Sequence, residues 1–261
     1  STLIMRLCLP VTMVLAHSSL AMTAEPFTAY FSDAGTSGTI VVERASDGKR
    51  WIHNPKRAAR RYIPASTFKI PHALIALELG VTHLDEVVPW DGKIRRIKSW
   101  NRPQTLKQAM RNSAVPVFQQ IAGRIGLKRM RRGVEQLNYG SQNIGTRVDQ
   151  FWLNGPLKIS AMEQIGFLKR LNSHSLALSK NVQSAVIELL PASSTLVGLT
   201  RGKTGWSIST KPAIGWYVGW LEASNETYFF ALNMDMKHVD HAAARKSIVH
   251  QILSHILGDN G

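Results

Sequence analysis

A chain of 261 residues, 44% of them hydrophobic, is long enough to bury the core of one large domain or two interleaved ones. Its formal charge of +15 at pH 7 raises the question of a nucleic-acid partner. The bases are scattered over Lys56–Arg61, Arg95–Lys98, Lys128–Arg132 and Lys237–Lys246, with no long basic arm and no interleaved aromatics on which bases could stack, so the charge reads as solvated surface.

Near the start of the chain Met5-Arg6 is followed by the apolar run Leu7 to Ala16, then by small residues at Ser19, Ala21 and Ala24. This is the pattern of a secretory signal over residues 1–24, cleaved near 21–24. The apolar run is shorter than the roughly 20 residues of a membrane span, so no span is expected in the mature protein. Cys8, the only cysteine, lies inside this segment, which leaves residues 25–261 without a disulfide or a thiol nucleophile.

Gly38 to Glu43 reads as a strand and Arg50 to His53 as its hairpin partner, with Asp47-Gly48 as the turn. Pro64 precedes Ala65 to Leu79, whose apolar spacing suits a buried helix closed by Gly80. Residues 84–190 are mostly helical in pattern, broken by Pro and Gly. Leu199 to Thr204, Gly215 to Leu221 and Thr227 to Asn233 are short β-rich runs, and His241 to Leu257 is an amphipathic helix. Strands at both ends with helices between predict an α+β chain in one domain. A largely antiparallel sheet is completed by both termini, flanked by helices and interrupted by a helical insertion over 84–190.

Three short motifs could carry chemistry. Ser66-Thr67-Phe68-Lys69 opens the helix after Pro64, and positions three apart share a helix face, so Ser66 and Lys69 can touch. A serine hydroxyl needs a base to take its proton, and a lysine serves only if burial disfavours its ammonium form. The helix N-terminus would also favour a developing oxyanion. The spacing alone says little, since about one Ser-x-x-Lys is expected by chance in such a chain. Indeed Ser46 to Lys49 repeats it, through a hairpin turn where the side chains need not meet. Ser113-Ala114-Val115 precedes Pro116 and another helix. Lys203-Thr204-Gly205-Trp206 falls on a predicted strand, where Gly205 would let a ligand approach the backbone and Lys203 and Thr204 could hold a carboxylate. The order of the three, 47 and then 90 residues apart, is more specific than any one of them.

Taken together, Pro-Ala-Ser-Thr-Phe-Lys-Ile-Pro (64–71), Ser-Ala-Val-Pro-Val (113–117), Phe-Trp-Leu (151–153), Lys-Thr-Gly-Trp (203–206) and Ala-Arg-Lys-Ser (244–247) make the chain resemble a class D serine β-lactamase, an oxacillinase, over nearly all its mature length. The resemblance implies the penicillin-recognising serine enzyme fold, with the site where the α/β and helical parts meet. It implies a β-lactam substrate and a periplasmic site of action. It also implies Ser66 as nucleophile and Lys69 N-carboxylated by carbon dioxide, with Trp152 hydrogen-bonded to that group. Ser113 would relay a proton to the leaving nitrogen, and Val115 would keep the lysine pocket apolar. The N–H groups of Ser66 and Trp206 would form the oxyanion hole, and Lys203, Thr204 and Arg245 would bind the substrate carboxylate.

One departure is Tyr139-Gly140-Ser141, where the family commonly has Tyr-Gly-Asn, which puts the local loop hydrogen bonds in question. A penicillin sensor or a DD-peptidase would share the nucleophile and would acylate without rapid turnover. His238, Asp240 and His241 form the best metal cluster, yet their spacing is weak for zinc, so no metal or other cofactor is expected beyond carbon dioxide. Nothing in the composition indicates an oligomer.

Overall fold

A computed structural model of the protein describes residues 27–258. The signal read over 1–24 lies outside them. Among the described residues no helix is long and apolar enough to cross a membrane.

Helix α1 (Thr28–Asp33) leads into the hairpin β1 (Gly38–Arg44) and β2 (Arg50–His53). Gly48 takes the positive φ of the turn, and Lys49 N–H donates to Asp47 Oδ1 at 3.0 Å. After α2 (Pro55–Ala59) come a 3-10 turn (Ala65–Phe68) and α3 (Lys69–Glu78), which Gly80 follows at φ +63°. The middle of the chain supplies the short pair β3 (Val87–Val88) and β4 (Gln104–Thr105). Five helices accompany it: α4 (Leu106–Arg111), α5 (Val115–Ile125), α6 (Leu127–Gln136), α7 (Ala161–Asn172) and α8 (Lys180–Leu189). Strands β5 (Ala192–Thr195), β6 (Gly198–Ser207), β7 (Ala213–Ala223) and β8 (Glu226–Met236) and helix α9 (His241–Gly258) end it.

The main sheet has the order β2-β1-β8-β7-β6-β5, and every neighbouring pair is antiparallel. Its first and last segments meet where Val41 pairs with Ala231, so both ends of the chain complete it. Side chains alternate between two cores, as the period of a strand requires. Val41, Trp216, Val218, Phe229 and Ala231 face the helical layer that includes α3 and α5. Ile40, Val42, Tyr217, Phe230 and Leu232 face Ile248, Val249 and Ile252 of α9 and Phe31 of α1. A sheet covered on both faces explains why β7 and β8 read as nearly continuous apolar runs.

The sequence reading places these elements and misjudges their ends. The strands expected to stop at Leu221 and Asn233 continue to Ala223 and Met236, because pairing across a tight turn, Ala223 with Glu226, outweighs the polarity of Glu222 and Asp235. Strand β5, Ala-Ser-Ser-Thr, has little intrinsic β character and exists through its pairing with Gly198–Arg201.

The loop after α6 is held by Gly140, at φ +54°. A Cβ there would lie 2.3 Å from the Lys158 carbonyl oxygen. Ser141 secures the same approach twice: its N–H donates to that oxygen at 2.7 Å, and its Oγ accepts from Lys158 N–H at 3.1 Å. The serine therefore supplies a loop hydrogen bond where the family's asparagine is absent. Gly140→Ala should destabilise the protein by about 1–3 kcal/mol. Urea denaturation reads this, and an unchanged midpoint would contradict the loop geometry.

Candidate active site

Ser66 sits in a turn that several elements hold in place. The Thr67 side chain donates to the Pro64 carbonyl at 2.7 Å, and Gln164 of α7 donates to Thr67 Oγ1 at 3.1 Å and to Tyr139 Oη at 3.2 Å. These groups are buried, so each hydrogen bond also removes the cost of leaving a polar atom unpaired. Ala65 lies at φ +50°, an unfavourable conformation for a residue with a Cβ, and the network around Thr67 holds the turn that contains it. The expected continuous helix from Ala65 is thus a 3-10 turn followed by α3. On its far side this turn abuts β6, where a Cβ on Gly205 would lie 3.0 Å from the Pro64 carbonyl oxygen and 3.2 Å from Thr67 Cγ2. Glycine at 205 is what permits the approach.

Lys69, the first residue of α3, is completely buried and its Nζ donates to Ser66 Oγ at 2.9 Å. The amine lies 5.1 Å from the centre of the Phe118 ring. No carboxylate offsets its charge, and burial alone pushes its pKa down to about 7. Trp152 is fully buried, stacked on Phe68 with ring centres 5.9 Å apart, and its indole N–H has no hydrogen-bond partner among the described residues. Val115 begins α5 and is only half-buried; the ring beside the amine belongs to Phe118, three residues on.

A second pair stands opposite. Lys203 of β6 is buried and donates to Ser113 Oγ and to the Thr204 carbonyl oxygen, each at 2.9 Å. Burial, and then the charges of Lys69, Arg245 and Lys246, hold its pKa well below the ordinary lysine range. Ser113 caps neither neighbouring helix; it lies between α4 and α5 at φ +53°. Arg245, which the resemblance places at the substrate carboxylate, is buried on α9, and its Nη1 donates to the Gly205 carbonyl oxygen at 2.6 Å. Burial lowers its pKa to about 10. Its guanidinium lies 5.7 Å from the centre of the exposed Trp206 ring.

The structure therefore brings together Ser66, Lys69, Ser113, Trp152, Lys203, Thr204, Gly205, Trp206 and Arg245. It separates the other Ser-x-x-Lys: Ser46 bonds to Glu226 and Lys49 lies over Trp51. His241 is buried with Nδ1 engaged by the backbone N–H of Lys237, and among the described residues no group of three metal-ligating side chains forms. A separate cleft of about 500 Å³, lined in part by Arg57, Arg60, Lys158 and Lys211, contains none of the paired residues. Sequence reasoning missed Phe118, His72 and the Thr67–Gln164–Tyr139 network. Only the apolar spacing of α5 could have pointed to Phe118; the rest depends on contacts distant in sequence.

The penicillin-binding protein transpeptidase domain family matches residues 38–257. The chain is 40% identical over 226 residues to Beta-lactamase OXA-48 of Klebsiella pneumoniae, covering 86% of this chain and 85% of that protein. It is 42% identical over 227 residues to Beta-lactamase OXA-10 of Pseudomonas aeruginosa, covering 85% of each. Among solved structures it is similar to the class D β-lactamase YbXI from Nostoc. There the TM-score is 0.86 and the identity 39%, over 88% of this chain and 98% of that one.

The buried amine has a consequence for stability. Unfolded, Lys69 keeps its proton up to about pH 10.5; folded, it loses it near 7. Between these values the unfolded state carries more protons, so stability rises with pH, by at most ~1.4 kcal/mol per pH unit. In carbon dioxide-free buffer, Lys69→Met should be the more stable protein below pH 7, and its advantage should shrink from pH 7 to 9. A pH-independent difference across that range, from chemical denaturation, would mean an ordinary lysine.

Proposed function

The chain belongs to the class D β-lactamases, and from that premise we propose that it hydrolyses the lactam amide of penicillins and related antibiotics through an acyl-enzyme on Ser66, with N-carboxylated Lys69 as general base, so conferring resistance. The observation that carries this reading is the 2.9 Å contact between Ser66 Oγ and a lysine amine that burial keeps close to neutral. A neutral amine can add to carbon dioxide, forming the N–C bond and releasing one proton, and the resulting anion would supply a stronger base than the amine. The donor set fits such a group: the Trp152 N–H is buried and without an acceptor among the described residues, and its ring packs on Phe68 and His72, which flank Lys69 on the chain.

The chain's own groups divide the work. Ser66 Oγ attacks the lactam carbonyl as its proton passes to the Lys69 side chain, and the N–H groups of Ser66 and Trp206 receive the oxyanion. That proton passes on through Ser113, which is bonded to Lys203, to the leaving nitrogen, so the base is free again. A water then attacks the ester, its proton passing to the Lys69 side chain and from there to Ser66 Oγ as the ester bond breaks. Lys203, Thr204 and Arg245 hold the substrate carboxylate, and Val115, at the start of α5, helps keep the lysine pocket apolar. No step is assigned to a metal. The signal read in residues 1–24 supports action in the periplasm.

Ser66→Ala should lower kcat/KM by about 1000-fold or more without loss of fold, and mass spectrometry with a slow substrate should place one adduct on the Ser66 peptide. An adduct on Ser113 would overturn the assignment. Arg245→Ala should raise KM more than it lowers kcat, because that contact already exists in the ground state. Turnover of a chromogenic cephalosporin separates this reading from a penicillin sensor or a DD-peptidase, which would remain acylated. Below pH 7 most of the amine is protonated and takes up little carbon dioxide, so degassed enzyme at pH 6 should be slow and should recover at pH 7.5 with bicarbonate present. Full activity in degassed buffer at both pH values would refute the lysine chemistry.

A further inference from the structure

Beneath Lys69 lies a polar residue that the mechanism above does not use. His72 is three positions along α3, completely buried, and neither ring nitrogen has a hydrogen-bond partner among the described residues. Its surroundings are aromatic: ring centres of Phe118, Trp152 and Phe68 lie 5.1, 5.2 and 5.7 Å away. A leucine or phenylalanine would suit such walls better, and buried polar atoms without partners are uncommon in folded proteins.

Three of the buried side-chain nitrogens that lack a hydrogen-bond partner among the described residues, both of His72 and the indole nitrogen of Trp152, meet in this one cluster, while the others lie elsewhere; the Lys69 amine shares the cluster, since its Nζ is also 5.1 Å from the Phe118 ring centre. Helical side chains lean toward the N-terminus, which inclines His72 at i+3 toward the Lys69 side chain. Burial, and next the charge of Lys69, lower the His72 pKa to about 3, so its ring is neutral at working pH and offers one N–H. The free amine already has its acceptor in Ser66. An anionic acceptor in this cluster would satisfy the two orphaned donors together.

We propose that His72 is a positioning residue: its ring N–H, together with that of Trp152, donates to the carboxylate of N-carboxylated Lys69 and stabilises it. This rests on the Lys69 reading above. The role is to hold the group in place and to raise its occupancy; His72 itself neither gains nor loses a proton in turnover.

The test uses the whole protein labelled with nitrogen-15 histidine and titrated with carbon-13 bicarbonate at pH 7.5. In the wild type a carbamate carbon signal should grow as the His72 ring nitrogen signal shifts, and the shift should be absent in Lys69→Met. In His72→Leu the bicarbonate needed for half-occupancy should rise by roughly tenfold or more, the loss expected for a hydrogen bond to a charged group. An amide variant, His72→Gln or His72→Asn, should recover most of it. A carbamate signal in the wild type with no movement of the His72 nitrogens overturns the proposal, whether or not the variants fold. So does unchanged uptake in a folded His72→Leu, the result expected if the ring only binds a buried water. Absence of the carbamate signal from the wild type overturns the Lys69 reading as well as this one.

Discussion

The Lys69 amine lies against the Phe118 ring, with one hydroxyl as its partner and no carboxylate to offset a charge. Moving its pKa from 10.5 to about 7 corresponds to disfavouring the ammonium form by roughly 5 kcal/mol relative to water. That is a large part of the net stability of a typical domain, so the remainder of the fold must hold the pocket closed. The doubly covered sheet and the aromatic cluster of Phe68, Phe118, Phe151 and Trp152 do so. Their packing keeps out the water that would restore an ordinary lysine.

The same constraint accounts for the local backbone. Ser66 can meet the amine only if the 3-10 turn is held at one position between α7 and β6. The Gln164–Thr67 hydrogen bond fixes it on one side, and glycine at 205 allows direct backbone approach on the other. Positive φ at Ala65 and at Ser113 places two unfavourable conformations next to the two hydroxyls. Such conformations persist where surrounding contacts over-determine them, and here those contacts include the hydrogen bonds that aim Ser66 and Ser113. The two lysines are also coupled through charge: Lys69 is among the causes that lower the Lys203 pKa, so a negative group at position 69 would favour the charged form of Lys203.

Much of this site is legible in the sequence because its motifs are local. Ser66 and Lys69 lie one turn apart, and Lys203, Thr204 and Gly205 are consecutive on one strand. The strand and helix cores were readable from apolar spacing, as in β1 and α9. What could not be read depends on tertiary contacts. Phe118 looks like any helix-core residue until its ring is found beside an amine. His72 in Ile-Pro-His-Ala looks like a polar break in a buried helix, and nothing local shows that Trp152, 80 residues away, lies against it. The burial of Arg245 cannot be read locally, because its acceptor, the Gly205 carbonyl, lies 40 residues earlier. Strand β5 was invisible for the same reason: its partner strand, not its composition, makes it a strand.

The central claim is that the fold, without any bound group, keeps the Lys69 amine substantially neutral near physiological pH. Nitrogen-15 NMR of lysine-labelled protein in carbon dioxide-free buffer measures this directly, with Lys69→Met identifying the resonance. The account predicts a side-chain nitrogen that titrates near pH 7. A Lys69 nitrogen that remains protonated to pH 10, like a solvent-exposed lysine, would contradict it.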